Sequence, residues 1–237
     1  MVFYDHFITS KTSGVSKIGE KIINWQNNLF LDLIRKFSNK KLEDINLLEI
    51  GPGKGYFARK CKKFNINYSA IEANEKMADD LKKSGFKNIY QDMAPPIKTE
   101  QKFDVIFMDQ VFEHMLNFNK AIDLINSCRD RLNKNGLLII SSPDYQVFKE
   151  DFFNCDYTHS YPTSVMRLSQ ILNDGDFKVI YRNYYSFLNK GFIHTRIISF
   201  LSKLLYNIGI FKIIFREKAY KIKVSLLSSC IIIGKKE

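Results

Sequence analysis

The stretch Asn46-Leu-Leu-Glu49-Ile-Gly51-Pro52-Gly53-Lys-Gly55-Tyr56 constrains the fold more than any other part of this chain. Its first half is a short apolar run that ends on glycine, the pattern of a buried strand entering a tight turn. Behind it, Phe57, Ala58, Cys61 and Phe64 recur at the spacing of one helix face. Strand, glycine loop and helix in that order build a nucleotide-type site. Glycines at alternate positions let the backbone pass close beneath a ligand, and the helix start offers unpaired N–H groups.

What the loop lacks narrows the ligand. A dinucleotide fingerprint requires a third glycine where this chain has Tyr56. A phosphate-gripping loop requires Gly-Lys-Ser/Thr, but Lys54 is followed by Gly55. Glu49, just before the first glycine, welcomes a cation and repels a pyrophosphate. Glu72 closes the next apolar run, where a strand-end carboxylate accepts hydrogen bonds from ribose hydroxyls. The expected ligand is a nucleoside without phosphates that carries a positive end.

These residues resemble motifs I and II of the class I S-adenosylmethionine-dependent methyltransferases. The likeness continues through Asn88-Ile-Tyr-Gln-Asp92-Met93, Phe103 to His114, and Gly136 to Asp144, so that it spans about residues 40–180. It implies an α/β fold: a doubly wound, Rossmann-like, seven-stranded sheet with one antiparallel strand in its edge region. It also implies an N-terminal lid helix within residues 1–40, and a methyltransferase domain over 41–237 with a late helical insertion at 190–220. For S-adenosylmethionine it implies a site made of Glu49, Gly51, Pro52, Gly53, Gly55, Tyr56, Phe57, Glu72, Ala73, Asp92, Met93, Asp109 and Gln110. Asp92 would accept from the adenine amino group, and Tyr56 and Phe57 would wall the sulfonium. Asp92 also suits a plain turn before Pro95-Pro96, and Phe57 suits the core.

Strands are expected near 46–50, 67–72, 87–90, 103–108 and 136–142, and helices near 55–64, 75–84 and 118–132. Such alternation predicts a parallel sheet whose ligands lie at the carboxyl ends of its strands. Gly85 and Gly136 are expected to end helices. From Lys17 to Phe37 an apolar stripe predicts a helix, which the resemblance implies is part of the lid. A strand near 177–184 and a last one from Val224 to Gly234 complete the sheet.

Sulfonium methyl transfer mainly requires alignment, and a hydroxyl acceptor adds the need for a base, for which His is suited. His159 is the first candidate, in the loop Asp156-Tyr157-Thr158-His159-Ser160-Tyr161 before a helix expected at 163–172, with Asp156 near enough to orient it. His114, in the Glu113-His114 pair that the family shares, is the second. Tyr4, His6, Asp156, Tyr157 and Tyr161 are candidate substrate contacts. No metal is expected, because the Asp156–His159 pair shows no third ligand.

Charge bears on partners. The net charge is +11, and residues 187–237 hold ten Lys/Arg against two acids. No nucleic-acid module accompanies it, so no nucleic-acid partner is expected. The four cysteines are scattered and no signal peptide is visible at Met1, which together read as cytoplasmic with reduced thiols. Residues 192–215 are amphipathic on a helix: Arg196, Ser199, Lys203 and Asn207 oppose Ile197, Leu201, Leu204, Leu205 and Ile208. Three placements follow in order of preference: packing on the domain, capping the acceptor pocket or a homodimer partner, and lying on a membrane surface. The expected activity is O-methylation of a small polar or anionic acceptor, such as a sugar or a phosphorylated surface-glycan precursor of capsule or lipopolysaccharide. The alternatives are N-methylation of a small amine and a non-catalytic, membrane-associated protein that binds the cofactor.

Overall fold

Eight strands form one sheet in the order β3-β2-β1-β4-β5-β8-β6-β7, numbered along the chain. The computed structural model describes residues 16–237, so the candidate contacts Tyr4 and His6 lie outside the described residues. Two compact units divide them: one runs to Asp109 and adds 123–139 and 235–237, and the other holds 110–122 and 140–234. The division falls inside the domain expected over 41–237.

The first unit begins with helix α1 (Lys17–Phe37), capped by Ser16 Oγ, which accepts from Gly19 N. The later half of its apolar stripe is buried, through Leu29, Leu33 and Ile34, while Ile18 is exposed; Phe30 packs against Phe57 and Phe107 at ring separations of 6.2 and 4.9 Å. Strands β1 (Asn46–Ile50), β2 (Asn67–Glu72), β3 (Asn88–Gln91) and β4 (Phe103–Asp109) follow the apolar runs. Helices α2 (Tyr56–Lys63) and α3 (Glu75–Lys83) connect the first three. β1 pairs in parallel with both β2 and β4, and β2 with β3. The strand order thus reverses at β1, between its neighbours β2 and β4, which makes a topological switch point. Register sets Glu49 opposite Ala70 and Phe107, and Glu72 opposite Gln91. The acids therefore collect at the carboxyl ends of adjacent strands.

Helix α4 (Phe118–Arg131) and strand β5 (Leu132–Pro143) each run from one unit's residues into the other's. Gly136 lies inside β5 rather than at a helix end, and Asn135 takes the left-handed backbone there, with φ +63°. The second unit holds two short helices, α5 (Tyr145–Phe148) and α6 (Asp151–Asn154), and helix α7 (Val165–Asp174). α7 starts two residues later than expected because Ser164 is its cap, with Oγ accepting from Arg167 N.

Three expectations change in the last quarter. The sheet has eight strands, because after β6 (Phe177–Ser186) the pair Asn189–Lys190 returns as β7, antiparallel to it. The helical insertion is longer than 190–220: α8 (Phe192–Asn207), α9 (Ile210–Phe215) and α10 (Ala219–Ser225) fill it. Val224 is therefore helical, and the last strand, β8 (Ser229–Lys236), begins five residues later. Buried ion pairs tie α8 and α10 to the rest of their unit. Arg196 of α8 meets Asp144 at 2.7 Å, and Lys223 of α10 meets Asp151 at 2.6 Å, with both acids shielded from solvent. Removing one partner of such a pair strands a buried charge.

Candidate functional site

In the first unit the glycine loop is held by its own amides. Gly51 N donates to Ile71 O, and Gly53 N donates to Glu72 Oε2, both at 2.9 Å. Glu72 Oε1 accepts from Asn74 N at 2.9 Å. Burial raises the Glu72 carboxyl above the usual range, and the N–H groups of Asn74, Gly53 and Ala73 oppose that rise. Glu72 therefore ties the loop to the second strand, a duty that its place at a strand end does not disclose. Gly51, Gly53 and Gly55 all have positive φ, at +71°, +52° and +68°. A Cβ at Gly55 would lie 2.4 Å from Leu81 Cδ2, whereas one at Gly53 would meet nothing within 4 Å. Gly55 serves the packing of α2 on α3, and Gly53 keeps the space above the loop open.

Glu49 is 4% exposed, and Tyr68 Oη donates to its Oε2 at 2.5 Å. Burial pushes its carboxyl up to about 8; the Tyr68 hydrogen bond opposes this, while Asp109 and Glu72 add to it. Without a cation nearby, this acid keeps its proton at neutral pH. Pro52 and Phe57 are buried, and Phe57 packs 4.5 Å from the Phe107 ring, so that it belongs to the core. Tyr56 is half-buried under the Arg59 guanidinium. Ala73 and Met93 are exposed. Asp92 forms the turn that Asp residues favour: Oδ1 accepts from Met93 N, and Oδ2 meets Lys98 Nζ at 2.7 Å. Lys98 holds the Asp92 carboxyl below its usual value. Asp109 ends β4, and Gln110 after it has φ +55°, a strained value for a residue with a side chain.

The second unit gathers the two candidate histidines. His159 Nδ1 lies 2.6 Å from Phe152 O. A carbonyl accepts only, so Nδ1 carries the hydrogen and Nε2 the lone pair. Nε2 faces Glu113 Oε1 at 3.9 Å. Glu113 is fully buried, and its Oε2 accepts from Ser142 Oγ at 2.9 Å. The Glu113 carbonyl in turn accepts from Ser160 N and Tyr161 N, which fixes the histidine loop onto the Glu113 turn. Burial lowers the His159 pKa, so the ring is neutral at pH 7.

Asp156 does not orient His159 directly. It accepts from Thr158 N and from Thr158 Oγ1 at 2.9 and 2.6 Å, and Thr158 Oγ1 lies 2.9 Å from His114 Nδ1. Burial works against its charge, but the Thr158 hydrogen bonds prevail and hold Asp156 low. The His114 pKa is pushed down to about 4, first by burial and then by His159, whose ring centroid is 4.9 Å away. His159 is also less open than a residue at a cleft mouth, at 9% exposure. Glu113 is the residue that sequence reasoning missed as its partner. Its only signal was adjacency to His114, since the pairing with His159 spans distant segments.

Glu113, His114 and His159 each offer a ligand atom, and these atoms lie within 4.8 Å of one another. This set differs from the Asp156–His159 pair, for which the sequence shows no third ligand. Tyr157 is exposed, whereas Tyr161 is buried and lines an open recess with Phe118, Arg167 and Gln170. Arg167 stacks over the Tyr161 ring at 4.9 Å.

Comparison with known proteins bears on the fold and the family. A solved S-adenosylmethionine-dependent methyltransferase from Archaeoglobus fulgidus is similar with a TM-score of 0.60 at 20% identity, over 89% of this chain and 94% of that one. The magnesium protoporphyrin IX methyltransferase of Synechocystis PCC 6803, solved with bound SAH, gives 0.63 at 14% identity over 99% and 94%. A curated relative, the ubiquinone biosynthesis O-methyltransferase of Pelagibacter ubique (strain HTCC1062), is 29% identical over 122 residues. That match takes in 49% of this chain, which spans 50% of the relative's length. Residues 23–205 match the methyltransferase-domain family. The chain belongs to that family, with the fold of the class I S-adenosylmethionine-dependent methyltransferases.

Proposed function

We propose that this chain transfers the methyl group of S-adenosylmethionine to a hydroxyl of a small polar acceptor, with His159 as the base. The observation that carries the reading is the His159–Glu113 dyad. Its tautomer is fixed by the Phe152 carbonyl, and its Nε2 faces a buried carboxylate. The lone pair takes the acceptor proton as the methyl moves, and Glu113 stabilises the imidazolium that results. Glu49, the glycine loop and Glu72 hold the cofactor: Glu72 receives the ribose hydroxyls, and Glu49 answers the positive methionine end. A methyltransferase from Synechocystis with bound SAH shares the fold, which supports the cofactor assignment.

Oxygen is favoured over nitrogen by the curated relative, an O-methyltransferase of ubiquinone biosynthesis. Arg167 and Tyr161, at the recess of the histidine-bearing unit, suit a sugar or phosphorylated glycan precursor. An acceptor screen that follows S-adenosylhomocysteine release is the test. Turnover with hydroxyl acceptors alone supports the reading, turnover confined to amines replaces it with N-methylation, and cofactor binding without any turnover overturns catalysis.

Cofactor binding should also release a proton. At pH 7 a carboxyl with a pKa near 8 is about nine-tenths protonated. A sulfonium or ammonium brought close drives it toward the anion. Calorimetric titrations in phosphate and in Tris should therefore differ by the buffer's ionisation heat, and Glu49→Gln should erase the difference. The same raised pKa makes Glu49 favour the free fold most at low pH, and that contribution fades as pH rises from 4.5 through 8.

A further inference from the structure

Helix α8 (Phe192–Asn207) is packed with its polar side inward. Thr195, Ser199 and Ser202 are 0, 2 and 1% exposed, whereas Ile193, Ile197 and Phe200 are 68, 52 and 65% exposed. The sequence pattern led to the opposite placement, with the apolar stripe on the domain. Three interactions fix the observed orientation. Ser199 Oγ accepts from Ser228 N, Ser202 Oγ donates to Lys223 O, and Arg196 pairs with the buried Asp144. Turning the stripe inward would break all three and strand the Asp144 charge.

The apolar surface continues past a 77° bend into α9 (Ile210–Phe215), where Ile213 and Ile214 are 78 and 63% exposed. Exposed cations are interleaved with it: Lys212 directly before Ile213, then Arg216, Lys218 and Lys221. Glu217 is the one acid in residues 187–236. An apolar stripe of this extent, bordered by one sign of charge, marks an interaction face.

We propose that the outward face of α8 and α9 docks this chain on the surface of an anionic lipid bilayer. Apolar side chains enter the boundary between headgroups and acyl chains, and the lysines and arginines meet lipid phosphates. Charge selects this occupant. A second copy set against the same face would bring two cationic patches together, since a two-fold interface matches a patch with itself. The placement is on the bilayer and not through it. A helix of 16 residues is about 24 Å long, short of the roughly 30 Å hydrocarbon core. No single helix among the described residues is long and apolar enough to cross a membrane; α8 and residues 210–225 have the length and composition only as a pair, and that pair is bent by 77°.

The full chain should sediment with vesicles of phosphatidylcholine and phosphatidylglycerol, weakly with phosphatidylcholine alone, and less as salt rises. The double variant Phe200→Ser, Ile213→Ser changes two exposed residues, so its melting temperature should hold while vesicle binding falls roughly tenfold or more. Three results would overturn the proposal. One is no binding to anionic vesicles, and another is binding that the double variant leaves unchanged. The third is a dimer in light scattering that the same variant dissolves, which would give the face to a second copy.

Discussion

Replacing His159 by asparagine should lower turnover by about 10²–10⁴-fold while cofactor affinity stays near wild type. Asparagine keeps a hydrogen-bonding group beside Phe152 O but has no basic lone pair. A residue that only shapes the loop would survive that exchange with most activity intact, and such survival would pass base duty to His114. Glu113→Gln tests the same dyad from behind. It should slow turnover without loss of cofactor affinity, because the imidazolium formed at His159 loses its buried counter-charge. The pH profile adds a signature. The His159 pKa is lowered by burial, so the neutral base persists below the ordinary imidazole range, and the acid limb of kcat/KM should fall below pH 6.5. In Asp156→Asn that limb should move lower still, since the carboxylate whose charge favours the protonated ring is gone.

Gly53→Ala should abolish S-adenosylmethionine binding, by calorimetry, and leave the domain folded. The added Cβ meets no protein atom within 4 Å, and its own penalty is the left-handed backbone at φ +52°, about 1–2 kcal/mol. The methyl occupies the space that the ligand is proposed to take above the loop. Gly55→Ala separates packing from binding. There the new carbon lies 2.4 Å from Leu81 Cδ2, so the α2–α3 contact must shift and the melting temperature should fall. Unchanged cofactor affinity in Gly53→Ala would remove the glycine loop as the site, whatever Gly55→Ala does.

Local pattern determined the first half of the fold. The runs Asn46–Ile50, Asn67–Glu72 and Phe103–Asp109 are mostly apolar stretches closed by glycine or acid, and a chain with those runs buries them as parallel strands. Strand ends then put Glu49 and Glu72 on one edge, because register is local to paired strands. The cofactor class was legible for the same reason: glycine spacing and a strand-end acid are features of a few consecutive residues.

Only the tertiary structure decided what lies between distant segments. Asp156 is three residues from His159, yet it serves Thr158, and the carboxylate facing His159 comes from the Glu113 turn. Proximity in sequence does not fix which way a loop side chain turns. Glu72 holds the glycine loop as well as ending a strand, and Phe57 is core because α1 covers it. The clearest case is α8. Its amphipathic period is plain in the sequence, but the pattern records only that two faces differ, not which one the fold takes inward. Asp144, the Ser228 amide and the Lys223 carbonyl are buried groups that need partners, and satisfying them drew the polar face in and left the apolar one outside.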